Sequence, residues 1–200
     1  IRRPPRSTRF PSTTLFRSDN PGSVAFRDSH AALAFAVAND DESLTRMMDG
    51  LKAAADKGDK LVGDVTLPLV RGITAFMHQD YDEAVRLMGP LFGSEAPYDQ
   101  LSRIGGSHAQ REVFEDTLTE AYLRARQFEN AEALLENRLK RRETPRDLFW
   151  LARAQQATGK PEAAEASVQQ VRDAWRNADP ESQEIRSEEH TSELQSRTNL

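Results

Sequence analysis

A short pattern that occurs three times along the chain constrains its fold more than any other feature. The segments YDEAV, FENAE and PEAAE start at Tyr81, Phe128 and Pro161, and each has an alanine three residues after its start. The second and third copies are 33 residues apart, and the first two are 47 residues apart. Repetition of this kind is typical of helical repeat proteins, in which each unit buries its apolar face against its neighbours.

The spacing of apolar residues predicts helices throughout the middle of the chain. From residue 19 to residue 185 the spacing is helical, and no strand-like alternation of useful length interrupts it. Ser107 and Gln110 form a capping box, and Thr144 precedes a proline at a first helical position, so both mark helix starts. Short links make consecutive helices antiparallel neighbours. The sequence therefore predicts four helix pairs, at 26–38 and 42–55, at 61–79 and 81–92, at 108–126 and 129–141, and at 145–158 and 161–179.

The two ends of the chain differ from its middle. Residues 1–18 contain five arginines and no acidic residue, a composition that suits a transit peptide or a basic nucleic-acid-binding arm. However, TTLFRS at 13–18 resembles the translation of a short-read sequencing adapter, and RSEEHTSELQS at 186–196 matches the translation of the paired adapter. We therefore expect residues 1–18 and 186–200 to be artefactual tails, and residues 19–185 to be a helical repeat domain cut from a longer protein.

Composition excludes several classes of function. The chain has no cysteine, which excludes a disulfide framework, a thiol nucleophile and cysteine-ligated zinc. Its formal net charge is -5, and the middle is more acidic than the whole, which argues against a general nucleic-acid binder. The longest apolar run, Ala31 to Ala38, is far shorter than the ~20 residues that span a bilayer. We expect a cytoplasmic protein with no cofactor, no metal, and no nucleic-acid or membrane partner.

The repeats resemble the tetratricopeptide repeat, a helix-turn-helix unit of about 34 residues with an aromatic residue or proline before its second helix and alanine within it. Two further segments, RIGGSHAQREVF at 103–114 and FRDSHA at 26–31, resemble motifs of the tetratricopeptide repeat protein 38-like family. The resemblance covers roughly residues 24–178. It implies the C-terminal part of an all-α protein whose antiparallel hairpins stack as a right-handed α-α superhelix, and it implies no particular reaction.

In tetratricopeptide repeats the first helix of each pair lines a concave face that binds an extended peptide or a helix. The resemblance therefore implies a protein-interaction scaffold with a protein or peptide partner. An apolar first groove followed by an acidic stretch would suit a basic amphipathic partner. The alternative is that the apolar positions are ordinary core, covered by helices that this fragment lacks. The groove positions implied by register are Leu69, Ile73, Phe76, Asp116, Glu120 and Arg153.

Two histidines support an alternative function, a small-molecule-binding or enzymatic site. His30 and His108 lie in the two family-like segments, and His108 stands four residues before Glu112, the spacing of a pair on one helix face. No H-E-x-x-H spacing supports a zinc hydrolase. The simpler interpretation is that His108 is a first-turn residue beside a cap and that Asp28 caps its own helix. The hypothetical polar cluster contains Asp28, His30, Arg103, His108 and Arg111.

Two other features have structural interpretations. Gly105 and Gly106 precede a helix start, where an anion could bind, but Ser107 already caps that helix. We expect these glycines to supply positive φ angles and a close approach. The basic cluster at 139–142 lies at a helix end, where the helix dipole favours it, and we interpret it as solvated surface.

Overall fold

The computed structural model describes residues 25–92 and 100–176, and all regular structure in these ranges is helical. This confirms, for the described residues, the prediction of an all-helical fold. The predicted tails at 1–18 and 186–200, and the end of the predicted last helix, lie outside the described residues. The α-helices are α1 (Ala25–Val37), α2 (Asp41–Asp56), α3 (Leu67–Met77), α4 (Tyr81–Met88), α5 (His108–Arg124), α6 (Phe128–Arg141), α7 (Pro145–Ala157) and α8 (Pro161–Ala174).

Prolines modify two of the predicted helices. The predicted helix at 61–79 contains a π-helical turn, Val62–Thr66, before α3 begins. Pro68 has no amide hydrogen for the carbonyl four residues earlier, which removes one α-helical hydrogen bond at this point. Helix α4 ends at Met88, and the chain continues as a 3₁₀ helix, Gly89–Phe92, that contains Pro90. A second 3₁₀ helix, Gln100–Ile104, lies in the predicted loop before α5.

The two helices of each pair are joined by the same turn. One residue of the turn adopts the left-handed backbone conformation, and the next amide donates to a carbonyl five residues back, as in a Schellman motif. Between α3 and α4, for example, Gln79 has a φ of 64°, and the amide of Asp80 donates to the carbonyl of Ala75 at 2.9 Å. In the four turns that join the helices of a pair, the positive-φ residues are Asn39, Gln79, Arg126 and Gly159. Three of these turns directly precede the repeated sequence pattern, so the pattern marks a recurring structural joint.

The helices divide into two compact units, one within residues 1–113 and one within residues 114–200. In the first unit, α1 packs against α2 and α3, and α3 packs against α4. Gly72 lets α3 approach α4 closely, because a Cβ atom there would overlap the side chain of Met88 and would lie 3.5 Å from the carbonyl oxygen of Ala84. The core of this unit includes Leu44, Leu51, Val65, Leu69, Val70 and Ile73.

In the second unit, α7 packs against both α6 and α8. Leu123, Ala131 and Ala154 form a buried cluster, and aromatic side chains that are partly buried pack around it. The alanines of the second and third repeat copies, Ala131 and Ala164, are 0% and 2% exposed, as Ala84 is in the first unit at 0%. The repeated alanine therefore occupies a buried position in each copy, which explains why the position requires a small residue.

Candidate functional site

His30 on α1 connects the two family-like segments of the first unit. Its Nδ1 lies 2.9 Å from the carbonyl oxygen of Phe26, and its Nε2 lies 3.1 Å from the carbonyl oxygen of Gln110. The His30 and Phe26 rings also pack together, with their centroids 4.2 Å apart. The half-buried imidazole therefore links α1 to the first turn of α5 through main-chain oxygens.

Gly106, the second of the two glycines before α5, packs against this contact, whereas a Cβ atom at Gly105 would meet nothing within 4 Å. Gly105 and Gly106 have φ angles of 91° and 74°, as expected from the sequence. A Cβ atom at Gly106 would overlap the Phe26 ring, so the close approach requires glycine. The Arg111 guanidinium donates to the carbonyl oxygens of both glycines, at 3.0 Å for Gly105. These contacts hold the loop against α1.

The predicted capping box at the start of α5 also forms. The Ser107 amide donates to Gln110 Oε1 at 2.8 Å, and the Gln110 amide donates to Ser107 Oγ at 3.3 Å. The box fixes the first turn of α5, and the Gln110 carbonyl that His30 contacts belongs to that turn. The cap interpretation of Ser107 is therefore confirmed.

Arg103 and His108 have neighbours of their own. Arg103 donates from Nη1 to Gln100 Oε1 at 2.9 Å, and its Nη2 lies 3.7 Å from Asp64 Oδ2 in the π turn. His108 Nδ1 lies 3.6 Å from Glu112 Oε1, four residues along α5. The His108 side chain is 45% exposed, as expected for a first-turn residue beside a cap.

Asp28 lies inside α1, in its first turn, because the helix begins at Ala25. The residue is fully buried, and its Oδ1 lies 3.3 Å from Arg27 Nη2. Asp28 is therefore a first-turn residue rather than the cap that the sequence suggested. In the first unit the structure brings the 26–30 and 105–111 segments together, and a ligand site among the five predicted residues stays a hypothesis.

Two of the apolar groove positions belong to the core instead. Leu69 and Ile73 are 0% exposed, because α1 and α4 both pack against α3. Phe76 is half-buried, and its ring contacts the edge of Tyr81 with centroids 5.7 Å apart. Leu69 and Ile73 therefore do not line an exposed groove. They belong to the core, as the alternative interpretation expected, but the helices that cover them are α1 and α4 of this chain and not helices that the fragment lacks.

The charged groove positions lie in the second unit. Asp116 accepts from Arg138 and from Arg146, each at 2.7 Å. Glu120 accepts from Arg124 at 2.8 Å, one helical turn away. Arginines therefore balance both carboxylates, and the acidic stretch expected to attract a basic partner is largely neutralised. Arg153 is exposed on α7.

Arg138 is the centre of a buried charge network that joins three helices of the second unit. Its side chain is 4% exposed and contacts Asp116 and Glu115 from α5 and Asp147 from α7. Arg141 adds two hydrogen bonds of 2.9 Å to Glu115. With Arg146 included, the network contains three arginines and three carboxylates, so its net charge is zero.

The carboxylates hold Arg138 in its charged form. Burial by itself would lower the pKa of Arg138, but the charges of Asp147, Asp116 and Glu115, together with the Asp116 hydrogen bond, raise that pKa above its usual value. A buried charge is tolerated only when it is paired in this way. The network therefore has the properties of a structural joint between helices.

Sequence reasoning did not identify this network, although its signal is visible in α6. Arg138 lies seven residues after Ala131 and three after Leu135, so it shares their buried helix face. A charged residue on an apolar face indicates a partner on a neighbouring helix. The interpretation of 139–142 as solvated surface overlooked that Arg141 pairs with the buried carboxylate of Glu115.

Comparisons of the chain with protein-family models, curated proteins and solved structures give no match. Within residues 25–92 and 100–176, no helix is both long enough and apolar enough to cross a membrane. In the same ranges, no three histidine, cysteine, aspartate or glutamate side chains come together as a metal-binding group would require.

Proposed function

We propose that the chain is a cytoplasmic tetratricopeptide-type scaffold that binds a peptide or helix of a partner protein and catalyses no reaction. The observation that carries the proposal is the recurring joint: three copies of the sequence pattern follow the same left-handed turn and bury the same alanine. A structural unit used repeatedly in this way is typical of repeat scaffolds, whose helices offer extended binding surfaces. The resemblance of two segments to motifs of the tetratricopeptide repeat protein 38-like family also supports a repeat scaffold.

The surface that fits the proposal best is a strip along α7 in the second unit. Phe149, Arg153 and Gln156 are spaced so that they share one helix face, and Arg153 and Gln156 are exposed. One turn earlier, the Arg146 guanidinium lies 5.2 Å from the centroid of the Trp150 ring. Arginine and aromatic side chains are the residues most enriched in binding hot spots.

The charges of this strip define the partner chemistry. Arginines neutralise Asp116 and Glu120 on α5, so these two carboxylates do not make the surface acidic. The charge exposed on α7 itself is positive. We therefore revise the basic partner expected from the sequence to a peptide or helix that carries an acidic residue for Arg153 and an apolar residue for Phe149.

A peptide-display selection against the full chain tests the proposal. Selected peptides are titrated by calorimetry against the wild type, Arg153→Glu and Arg172→Glu, the last reversing the charge of a partly exposed arginine on α8. We expect saturable binding that Arg153→Glu weakens about tenfold, or ~1.4 kcal/mol, and that Arg172→Glu leaves within about twofold. The absence of any saturable peptide, or equal losses in both variants, would contradict the scaffold assignment.

A further inference from the structure

The strip on α7, taken from Arg146 to Arg153, has an arginine at each end and aromatic residues in its middle. Because the two arginines are seven residues apart, they lie on one face of the helix at a spacing of about 10.5 Å. Phe149 and Trp150 lie between them, three and four residues after Arg146, and both are half-buried. Trp150 also packs against the buried apolar cluster of the second unit, which gives the strip a fixed base.

Both arginines have donors left for a partner. Arg146 is 50% exposed and donates from Nη2 to Asp116 Oδ2 at 2.7 Å, and a guanidinium has five N–H donors in all. Arg153 is exposed, and within the described part of the chain it has no hydrogen-bond or ion-pair partner. Asp116 also accepts from Arg138, so its charge is offset. The strip therefore presents two positive charges with aromatic side chains between them.

We propose that the occupant of this strip is an amphipathic helix of a partner protein, with acidic residues seven positions apart and apolar residues between them. This inference rests on the proposed scaffold function and specifies the conformation and the sequence spacing of the partner. A helix that lies along α7 has the same rise per residue, so acidic residues at i and i+7 face Arg146 and Arg153. Residues i+3 and i+4 share that face and contact Phe149 and Trp150.

Extended peptides do not match the strip. In a β-strand, side chains on the same face are two residues apart, so their spacings are about 7 or 13 Å and not about 10.5 Å. A polyproline II segment brings residues three apart to one face at about 9.3 Å, but the two residues between them point elsewhere. The α-helix is the conformation that places two acidic side chains and the intervening apolar side chains on one face at this spacing.

The aromatic residues strengthen the expected ion pairs. The Arg146 guanidinium already lies 5.2 Å from the centroid of the Trp150 ring, so it loses little conformational freedom when a carboxylate binds. Apolar partner residues over Phe149 and Trp150 exclude water from the arginine–carboxylate pairs on either side. Exclusion of water lowers the local dielectric constant and strengthens both pairs.

Stapled helical peptides of identical composition test the spacing. The first carries glutamates at i and i+7 with leucines at i+3 and i+4, and the second has one glutamate moved to i+5, on another face of the helix. A third, polyproline peptide carries glutamates three residues apart. Fluorescence anisotropy of the labelled peptides with the full chain measures Kd. We expect the first peptide to bind about tenfold more tightly than either of the others, because each of them loses an ion pair or the apolar contact.

Exchange of charge tests the alignment of the partner. Arg153→Glu should weaken binding of the first peptide about tenfold, and replacement of one of its glutamates by lysine should recover most of that loss. Arg172→Glu on α8 is the matched control and should leave the affinity within about twofold, because Arg172 lies outside the strip.

The outcomes separate this inference from the scaffold function on which it rests. Equal affinities of the two stapled peptides, tighter binding of the polyproline peptide, or no recovery by the lysine peptide overturns the helical partner. If none of these peptides binds but peptides from the display selection do, the helical partner is wrong and the scaffold function stands. If neither set binds, both are wrong.

Discussion

In the unit within residues 1–113, each helical segment that follows a tight turn begins at an aspartate cap, whereas the corresponding turns of the second unit lack such caps. Asp40, Asp59 and Asp80 accept from amides three residues ahead at 3.0, 3.1 and 3.2 Å. In the second unit, Gln127 and Lys160 occupy the N-cap positions of α6 and α8, and their side chains do not cap these helices. The same joint is thus stabilised in two different ways.

The second unit uses ion pairs between helices where the first uses local caps. Lys160 Nζ donates to Glu132 Oε1 at 2.8 Å, across 28 residues of sequence, and this hydrogen bond raises the pKa of Lys160. Arg138 similarly reaches Asp116 across 22 residues. A cap fixes one helix end, but a buried ion pair fixes two helices relative to each other. Substitution of Arg138 should therefore destabilise several helices, whereas substitution of a cap residue should destabilise only the helix that it caps.

The largest expected effect comes from Arg138→Met. The substitution keeps most of the side-chain volume and leaves Asp147 buried without its cation, whereas Glu115 keeps its hydrogen bonds from Arg141. We expect the free energy of unfolding, measured by urea denaturation, to fall by about 3–5 kcal/mol. Arg146→Met is the matched control, because Arg146 also binds Asp116 but is 50% exposed, and it should lose less than about 1 kcal/mol. Similar losses in both variants would show that burial of Arg138 is unimportant.

The next effect concerns the close approach of α3 and α4 in the first unit. Gly72→Ala adds a Cβ atom that overlaps the buried Met88 side chain. Overpacking should destabilise the chain by about 1–3 kcal/mol, partly offset by the better helix propensity of alanine, so we expect a net loss of ~1 kcal/mol. Gly63→Ala is the control, because its Cβ would lie at an ordinary 3.5 Å from Ala55 Cβ. A Gly72→Ala variant as stable as Gly63→Ala would contradict the packing described.

The smallest effect tests the caps. Asp40→Ala should lower the free energy of unfolding by about 1 kcal/mol at pH 7, whereas Gln127→Ala should change it little, because Gln127 does not cap its helix. Hydrogen bonds from the Ser43 side chain and amide lower the pKa of Asp40 below its ordinary value of 3.8. The cap therefore contributes fully above that value and loses its contribution as the pH falls through the lowered pKa.

Urea denaturation of the wild type and Asp40→Ala between pH 7 and pH 3 checks this dependence. The stability difference should shrink at the acid end, and Asp40→Asn, whose side-chain oxygen can still cap, should retain most of the wild-type stability. A difference that grows on acidification would show that Asp40 does not act as an ionised cap.

Much of the fold follows from the sequence because its signals are local. The capping box at Ser107 and the cap at Thr144 are set by residues three apart, and both form as predicted. The π turn before α3 was not predicted, because helical periodicity does not distinguish α from π hydrogen bonding. The repeat pattern located the joints, since Tyr81, Phe128 and Pro161 each begin a helix.

The site residues were harder to predict because their contacts are distant in sequence. His30 and Gln110 are 80 residues apart, and no spacing rule reveals that both nitrogens of His30 meet main-chain oxygens. The spacing of Leu69 and Ile73 is the same for a groove-lining face and for a core face of a helix. Both residues are in the core because α1 and α4 pack against α3. The sequence predicts Asp116 as an acidic position of the groove. It does not reveal that Arg138 on α6 and Arg146 on α7 pair with this carboxylate.

Hydrogen exchange of the Arg138→Met chain tests most directly whether a buried ion network holds the second unit together. Amides of α6 and α7 should lose protection by about 100-fold or more, which corresponds to the expected loss of about 3 kcal/mol, while amides of α1 to α4 should change by less than about threefold. Unchanged protection in α6 and α7, or an equal loss in all helices, would contradict the account.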